Sequence, residues 1–130
     1  MSKLTYLACP FSHPEEAVRF ERIKKVDKFA AYLMHRMDRV VFSPITHSSR
    51  IAKYLPESYL LNVDFWMKQD IPILLKCDEL AVFCLDGWRE SKGIKKEIEI
   101  AKYVGMRILY WREGKVSYRW DDLDGGNNVR

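Results

Sequence analysis

Apolar residues in this chain alternate between short continuous runs and longer stretches with helical spacing. Residues 3–9 form the first run, closed by Pro10, and predict a strand. Residues 14–37 place Val26, Phe29, Ala30, Leu33 and Met37 three or four positions apart, which predicts a long helix with one buried stripe. Residues 39–42 carry Val40-Val41-Phe42 ahead of Ser43-Pro44 and predict a second strand, so the three elements form a βαβ unit and imply a parallel sheet. Residues 43–56, rich in Ser, Thr, His and Pro, read as a long loop, and a loop of that length is a functional candidate. Residues 57–76 read as one long helix or as two shorter ones bent at Pro72.

The run at 79–85, Leu80-Ala81-Val82-Phe83-Cys84-Leu85 after Glu79, predicts a strand buried on both faces. A helix follows over 91–104 with Gly105 just past its end, then a strand at 107–111, a turn at Glu113-Gly114 and a short fifth strand at 116–120. Residues 1–123 thus predict a single α/β domain, a doubly wound Rossmann-like or flavodoxin-like parallel sheet of four to five strands with helices on both faces. Residues 124–130, with Asp124-Gly125-Gly126-Asn127-Asn128, predict a flexible C-terminal tail. Open sheets of this kind bind ligands just beyond the carboxyl ends of their strands. Here those ends are residues 9–13, 43–47 and 85–88, which makes Cys9, Ser12, Asp86 and Gly87 candidate binding residues, with Ser91 opening the next helix.

Composition narrows this picture. A 130-residue chain has room for one average domain, and 48% hydrophobic with 31% charged residues is the make-up of a globular protein with a packed core. No uncharged run approaches the ~20 residues of a membrane span, and the apolar start is too short for a secretory signal, so the sequence reads as cytoplasmic. Cys9, Cys77 and Cys84 form no C-x-x-C pair and predict neither a disulfide frame nor a metal site; no cofactor motif is present. The 22 basic residues exceed the 18 acidic ones by only four and are dispersed, which suits a phosphate-bearing ligand and does not argue for nucleic acid.

One carboxylate stands out. In the helix over 91–104 the apolar stripe is Ile94, Ile98, Ala101 and Gly105. Stepping about 100° per residue from Ile94 puts Glu97 near −60°, between Ala101 near −20° and Val104 near −80°, whereas Glu99 near +140° faces solvent. A carboxylate on a buried stripe is costly unless it is paired or used, and Glu97 lies early in its helix, where the dipole favours the ionised form expected of a nucleophile. The plainer reading is an edge residue that snorkels out or pairs with Lys or Arg.

Residues 91–101 read S-x-G-x-x-x-E-x-x-x-A, and Tyr6-Leu7-Ala8-Cys9-Pro10-Phe11 opens the chain. Together with Asp70, eight residues before Asp78, these resemble the nucleoside 2-deoxyribosyltransferase-like family, which includes the 2′-deoxynucleoside 5′-monophosphate N-hydrolases. The resemblance spans residues 4–111. It implies that Glu97 attacks the anomeric carbon, that Asp70 handles the proton of the base, and that Tyr6 positions the glutamate and sugar. Ordinary strand packing for Tyr6 and helix capping for Asp70 are the bland alternatives. At Ser91 the family's nucleoside transferases usually carry Asp and its monophosphate hydrolases Ser, so the resemblance implies phosphate contact; a plain N-cap is compatible with it. Gly93 belongs to the same motif. Cys9 replaces a family glycine, and Pro10 and Ser12 replace the hydrolases' Ser and Arg, leaving Ser12 and His13 as substitutes.

The resemblance further implies a homodimer or higher homo-oligomer with a shared site, completed by Lys115, Ser117 or Arg119. Tyr110, Trp111, Tyr118 and Trp120 either serve that interface or form the last layer of the core. The expected activity is N-glycosidic cleavage of a (deoxy)nucleoside 5′-monophosphate through a glycosyl-enzyme, without a cofactor. Transfer of the sugar between bases and a non-catalytic nucleotide sensor are the alternatives.

Overall fold

In the computed structural model, residues 2–112 and the backbone of 115–117 are described. The elements run β1 (Leu4–Ala8), α1 (Glu16–Arg36), β2 (Val40–Phe42), α2 (Pro44–Ile51), α3 (Val63–Leu74), β3 (Glu79–Phe83), α4 (Lys92–Tyr103), β4 (Arg107–Arg112) and β5 (Lys115–Ser117). They build one sheet in the order β2-β1-β3-β4-β5. The first four strands are parallel, as the βαβ pattern demands, with Tyr6 opposite both Phe42 and Leu80, and Leu80 opposite Ile108. The fifth runs antiparallel to β4, so the sheet is mixed at one edge. Only two positions separate the end of β4 from the start of β5, and a parallel return needs a crossover of a dozen residues.

Strand alternation divides the core into two layers. Tyr6, Ala8, Leu80 and Val82 pack with Leu74, Ile94 and Ala101, which places α3 and α4 on one face. Leu7, Ala81 and Leu109 pack with Val26, Ala30 and Leu33 of α1 on the other. This is the doubly wound α/β arrangement expected from the sequence. Tyr110 enters the first layer and Trp111 the second, so these two aromatics are core. Tyr118, Trp120, the domain boundary at 123 and the tail lie outside the described residues.

The segment 43–56 is not a loop. It forms α2 and a 3₁₀ turn at Ala52–Tyr54. Ser43-Pro44, read as the end of a strand, is also the start of a helix, because Pro at the first helical position lacks only an N–H that would be orphaned anyway. Thr46 Oγ1 lies 2.8 Å from Ser43 Oγ and donates to Asp27 Oδ1 at 2.5 Å, which ties α2 to α1. The segment 57–76 begins with a 3₁₀ turn at Glu57–Tyr59, and α3 starts only where the Asn62 side chain accepts from the Phe65 N–H at 3.0 Å. The helix runs through Pro72 to Leu74. Gly105, with φ +73°, follows Val104, the cap residue of α4, and is exposed and not part of the buried stripe. At the amino end of the sheet, buried Glu79 accepts from Thr5 Oγ1 at 2.6 Å and from Arg39 Nε at 2.5 Å, joining β3 to β1 and to the start of β2. Among the described residues no helix is long and apolar enough to cross a membrane.

Candidate active site

The carboxyl ends of β1 and β2 open into a cavity of about 460 Å³, walled by α1, α2, α3 and the first half of α4. Cys9, at the end of β1, and the carboxylates Asp70 and Glu97 lie on its wall. Glu97 reaches it because α4 packs through Ile94 and Ala101, both essentially buried, and the intervening stripe position points the same way. Its side chain is 4% exposed, whereas Glu99 is exposed, as the helical wheel predicts. Asp70, 6% exposed, sits in the interior of α3 rather than at a cap.

Tyr6 lies behind Glu97, fully buried, and its Oη donates to Glu97 Oε2. Burial pushes the Glu97 carboxyl up to about 8; the negative charge of Asp70 adds to the rise and the Tyr6 hydrogen bond opposes it. Desolvation is the largest of these effects, so burial works against the ionised form that the position early in the helix suggested. Burial also raises Asp70, to about 6, and this carboxyl has no hydrogen-bond partner among the described residues. Burial and the two carboxylates raise Tyr6 far above the phenol range, so it remains a donor at any physiological pH.

Ser91 caps α4, its Oγ accepting from the Ile94 N–H at 3.2 Å, and it also lines the cavity with Gly93 and Ser12. Gly87 lies instead on an adjoining chamber of about 370 Å³, which shares Ser12 and Ser91 with the main cavity. Asp86 is the exception among the sequence-predicted binding residues. Its side chain is exposed and lines neither space, and its backbone carbonyl, not its carboxylate, is engaged, by Arg22. His13 is likewise occupied, its Nδ1 accepting from the Glu15 N–H at 3.0 Å. His47 packs 5.6 Å from the ring of Phe42, away from the cavity lining, whereas its neighbours Ser48 and Ser49 line it. Lys115, Ser117 and Arg119 carry no side-chain description.

Several wall residues were not found from the sequence. Phe20 and Ile23 belong to the same α1 stripe as Val26, Ala30 and Leu33, but α1 overhangs the sheet, so the stripe that is core in its second half faces the cavity in its first. Trp66 and Met67 stand one turn before Asp70 on α3 and share its face. The i−3 and i−4 spacing from Asp70 was the available signal for them. Among the described residues no group of three or more His, Cys, Asp or Glu side chains is placed to hold a metal ion.

The arrangement is a buried carboxylate held by a phenol, a second buried carboxylate without a partner, and a largely apolar cavity above them. The sequence profile of a domain of unknown function, DUF1937, matches residues 3–113. The chain belongs to the DUF1937 family. No curated protein matches this DUF1937 chain. Among solved structures, a 2-deoxyribosyltransferase from the psychrotolerant bacterium Bacillus psychrosaccharolyticus, described as a biocatalyst for the synthesis of antiviral and antitumoral nucleosides, is similar in fold. The match has a TM-score of 0.57 at 22% identity and covers 84% of the DUF1937 chain and 72% of the transferase. At that identity the likeness is one of fold, and it agrees with the doubly wound sheet described above.

Proposed function

We propose that this protein is an N-glycosidase that cleaves a (deoxy)nucleoside 5′-monophosphate through a glycosyl intermediate on Glu97. The observation that carries this reading is the pair of buried carboxylates on one cavity wall, one oriented by the Tyr6 hydroxyl and the other unpartnered. The fold it shares with a nucleoside-handling transferase supports it. Glu97 Oε attacks C1′ as the C1′–N bond breaks, and the electron pair of that bond leaves on the base, which takes a proton from Asp70. Water then attacks C1′ of the glycosyl ester, Asp70 recovers a proton from that water, and Glu97 is released with the sugar phosphate.

The pKa order sets the protonation requirement. Between about pH 6 and 8 the pair carries one proton, held mainly by Glu97. Reaction needs that proton on Asp70 and Glu97 ionised, where the oxocarbenium-like transition state gains a neighbouring anion. Phe20 and Leu61, two exposed hydrophobic residues on the same cavity, support assembly as a homodimer in which a second copy closes the site.

Incubating the protein with ribo- and deoxynucleosides and their 5′-monophosphates, with chromatography for free base, tests the reading. Base release from a monophosphate, abolished in Glu97→Gln and Glu97→Ala, is the expected result. No release from any substrate, or release that survives both substitutions, overturns it. The same incubation with a second free base separates hydrolysis from transfer, because only transfer yields a new nucleoside.

A further inference from the structure

Arg22 projects from α1 into the smaller chamber, and its guanidinium bridges the loops that follow β1 and β3. Nη1 donates to the carbonyl oxygen of Ser12 at 3.1 Å, and Nη2 donates to that of Asp86 at 2.9 Å. The seat depends on a missing side chain. Gly87 has φ +90°, and a Cβ built on it would lie 2.7 Å from Arg22 Nη2, too close for any substituted residue to leave the guanidinium in place. Both partners are neutral carbonyls, which orient the group without neutralising it. Among the described residues no carboxylate forms an ion pair with Arg22, and the two carbonyls use two of its five N–H donors.

A half-buried, seated guanidinium with donors to spare in a concave space is suited to bind an anion in a fixed orientation. The chamber's other charged side chains are Lys92 and Glu90, both exposed and of opposite sign, so Arg22 supplies its net positive charge. Ser91 and Ser12 line both spaces, which sets the anion beside whatever occupies the main cavity.

We propose that this chamber takes the phosphate group of a sugar phosphomonoester, and that Arg22 selects phosphorylated over unphosphorylated ligands. The inference rests on the reading of the main cavity as a sugar site, but it is tested by binding and does not require turnover. The first arm titrates the full chain with ribose 5-phosphate, ribose and inorganic phosphate by calorimetry. The second repeats this with Arg22→Gln, Arg22→Lys and Gly87→Ala, and with Lys95→Gln on the exposed face of α4 as control. Wild type and Lys95→Gln are expected to bind ribose 5-phosphate at least about tenfold more tightly than ribose. Arg22→Gln and Gly87→Ala are expected to lose that preference, and Arg22→Lys, which keeps the charge but not the fork, to retain part of it.

Equal affinity for the two sugars in wild type, or no binding of either, overturns the proposal. So does a preference that survives in both Arg22→Gln and Gly87→Ala, and so does an equal loss of ribose and ribose 5-phosphate binding, which marks a structural role. If inorganic phosphate binds but ribose 5-phosphate gains nothing over ribose, the chamber is a free-anion site and the phosphomonoester assignment falls. Phosphate selectivity without base release from any nucleotide would leave this inference standing and overturn the glycosidase reading alone.

Discussion

Tyr6 and Glu97 share one hydrogen bond across 91 positions of sequence, and neither side chain has meaningful access to solvent. The phenol can only donate there, so it stabilises the carboxylate form of Glu97 and works against the burial that favours the acid. Tyr6→Phe should therefore move the Glu97 ionisation upward. Because the proton of the pair rests mainly on Glu97, the alkaline limb of the pH–rate profile, set by the loss of that last proton, should shift to higher pH, with kcat falling about 10- to 100-fold at neutrality. A profile that falls uniformly without shifting would place Tyr6 in packing alone.

Glu97 also makes stability depend on pH. Its pKa is raised on folding, from 4.5 to about 8, so between those values the folded protein holds a proton that the unfolded chain has released. The stabilisation is complete below about pH 4.5 and is lost as pH rises toward 8, at up to about 1.4 kcal/mol per pH unit. Asp70, raised from 3.8 to about 6, adds the same sign of slope over its lower window. Thermal melts from pH 5 to 8.5 should show the wild type losing stability more steeply than Glu97→Gln, with the variant the more stable at pH 8. Parallel slopes would mean that Glu97 titrates near its ordinary value.

Asp70→Asn removes the group assigned to the proton of the departing base. Loss of general acid catalysis is worth about 10²–10⁴ in rate. The loss should be smaller for nucleotides whose bases leave readily as anions, because these need the proton least. Equal losses across a series of bases of graded acidity would contradict the assignment.

Ser91 has a capping role and a proposed phosphate role, and two substitutions separate them. Ser91→Ala removes the acceptor for the Ile94 N–H and should cost about 1 kcal/mol of stability. Ser91→Asp keeps a cap and adds a negative charge at the cavity, so stability should hold while kcat/KM for monophosphates drops more than for nucleosides. Equal drops on both substrates would remove Ser91 from phosphate recognition.

How much of this was legible in the chain depended on whether the signal was periodic. Glu97 was found because a polar residue interrupted a 3.6-residue stripe, and the doubly wound parallel sheet followed from alternating runs and helices. The helix α2 was missed because two turns with few apolar residues are too short to show a period; Ile45 packs it on the core and the Thr46–Asp27 contact ties it to α1. Arg22 was missed for a different reason. Its guanidinium crosses to a loop 64 positions away, a reach set by a long side chain and a glycine and not by any spacing. Asp86 was named for its place after β3, and it is exposed and lines neither space, because position at a strand end does not fix which way a side chain points. The antiparallel sense of β5 was available in the short spacing after β4, which leaves no room for a crossover, but the expectation of a parallel sheet of four to five strands did not use it.

The 91-residue separation of Tyr6 and Glu97 has a kinetic consequence. Neither β1 nor α4 can bring these groups together alone; the contact needs β3 paired with β1 and α4 packed on the sheet, so it closes one of the longest loops in the chain. A nascent or partly folded chain has its glutamate in water, with an ordinary acidity and no phenol beside it. Recovery of activity after denaturation should thus lag behind recovery of helical content, and the assembled pair serves as a clock for the last step of folding.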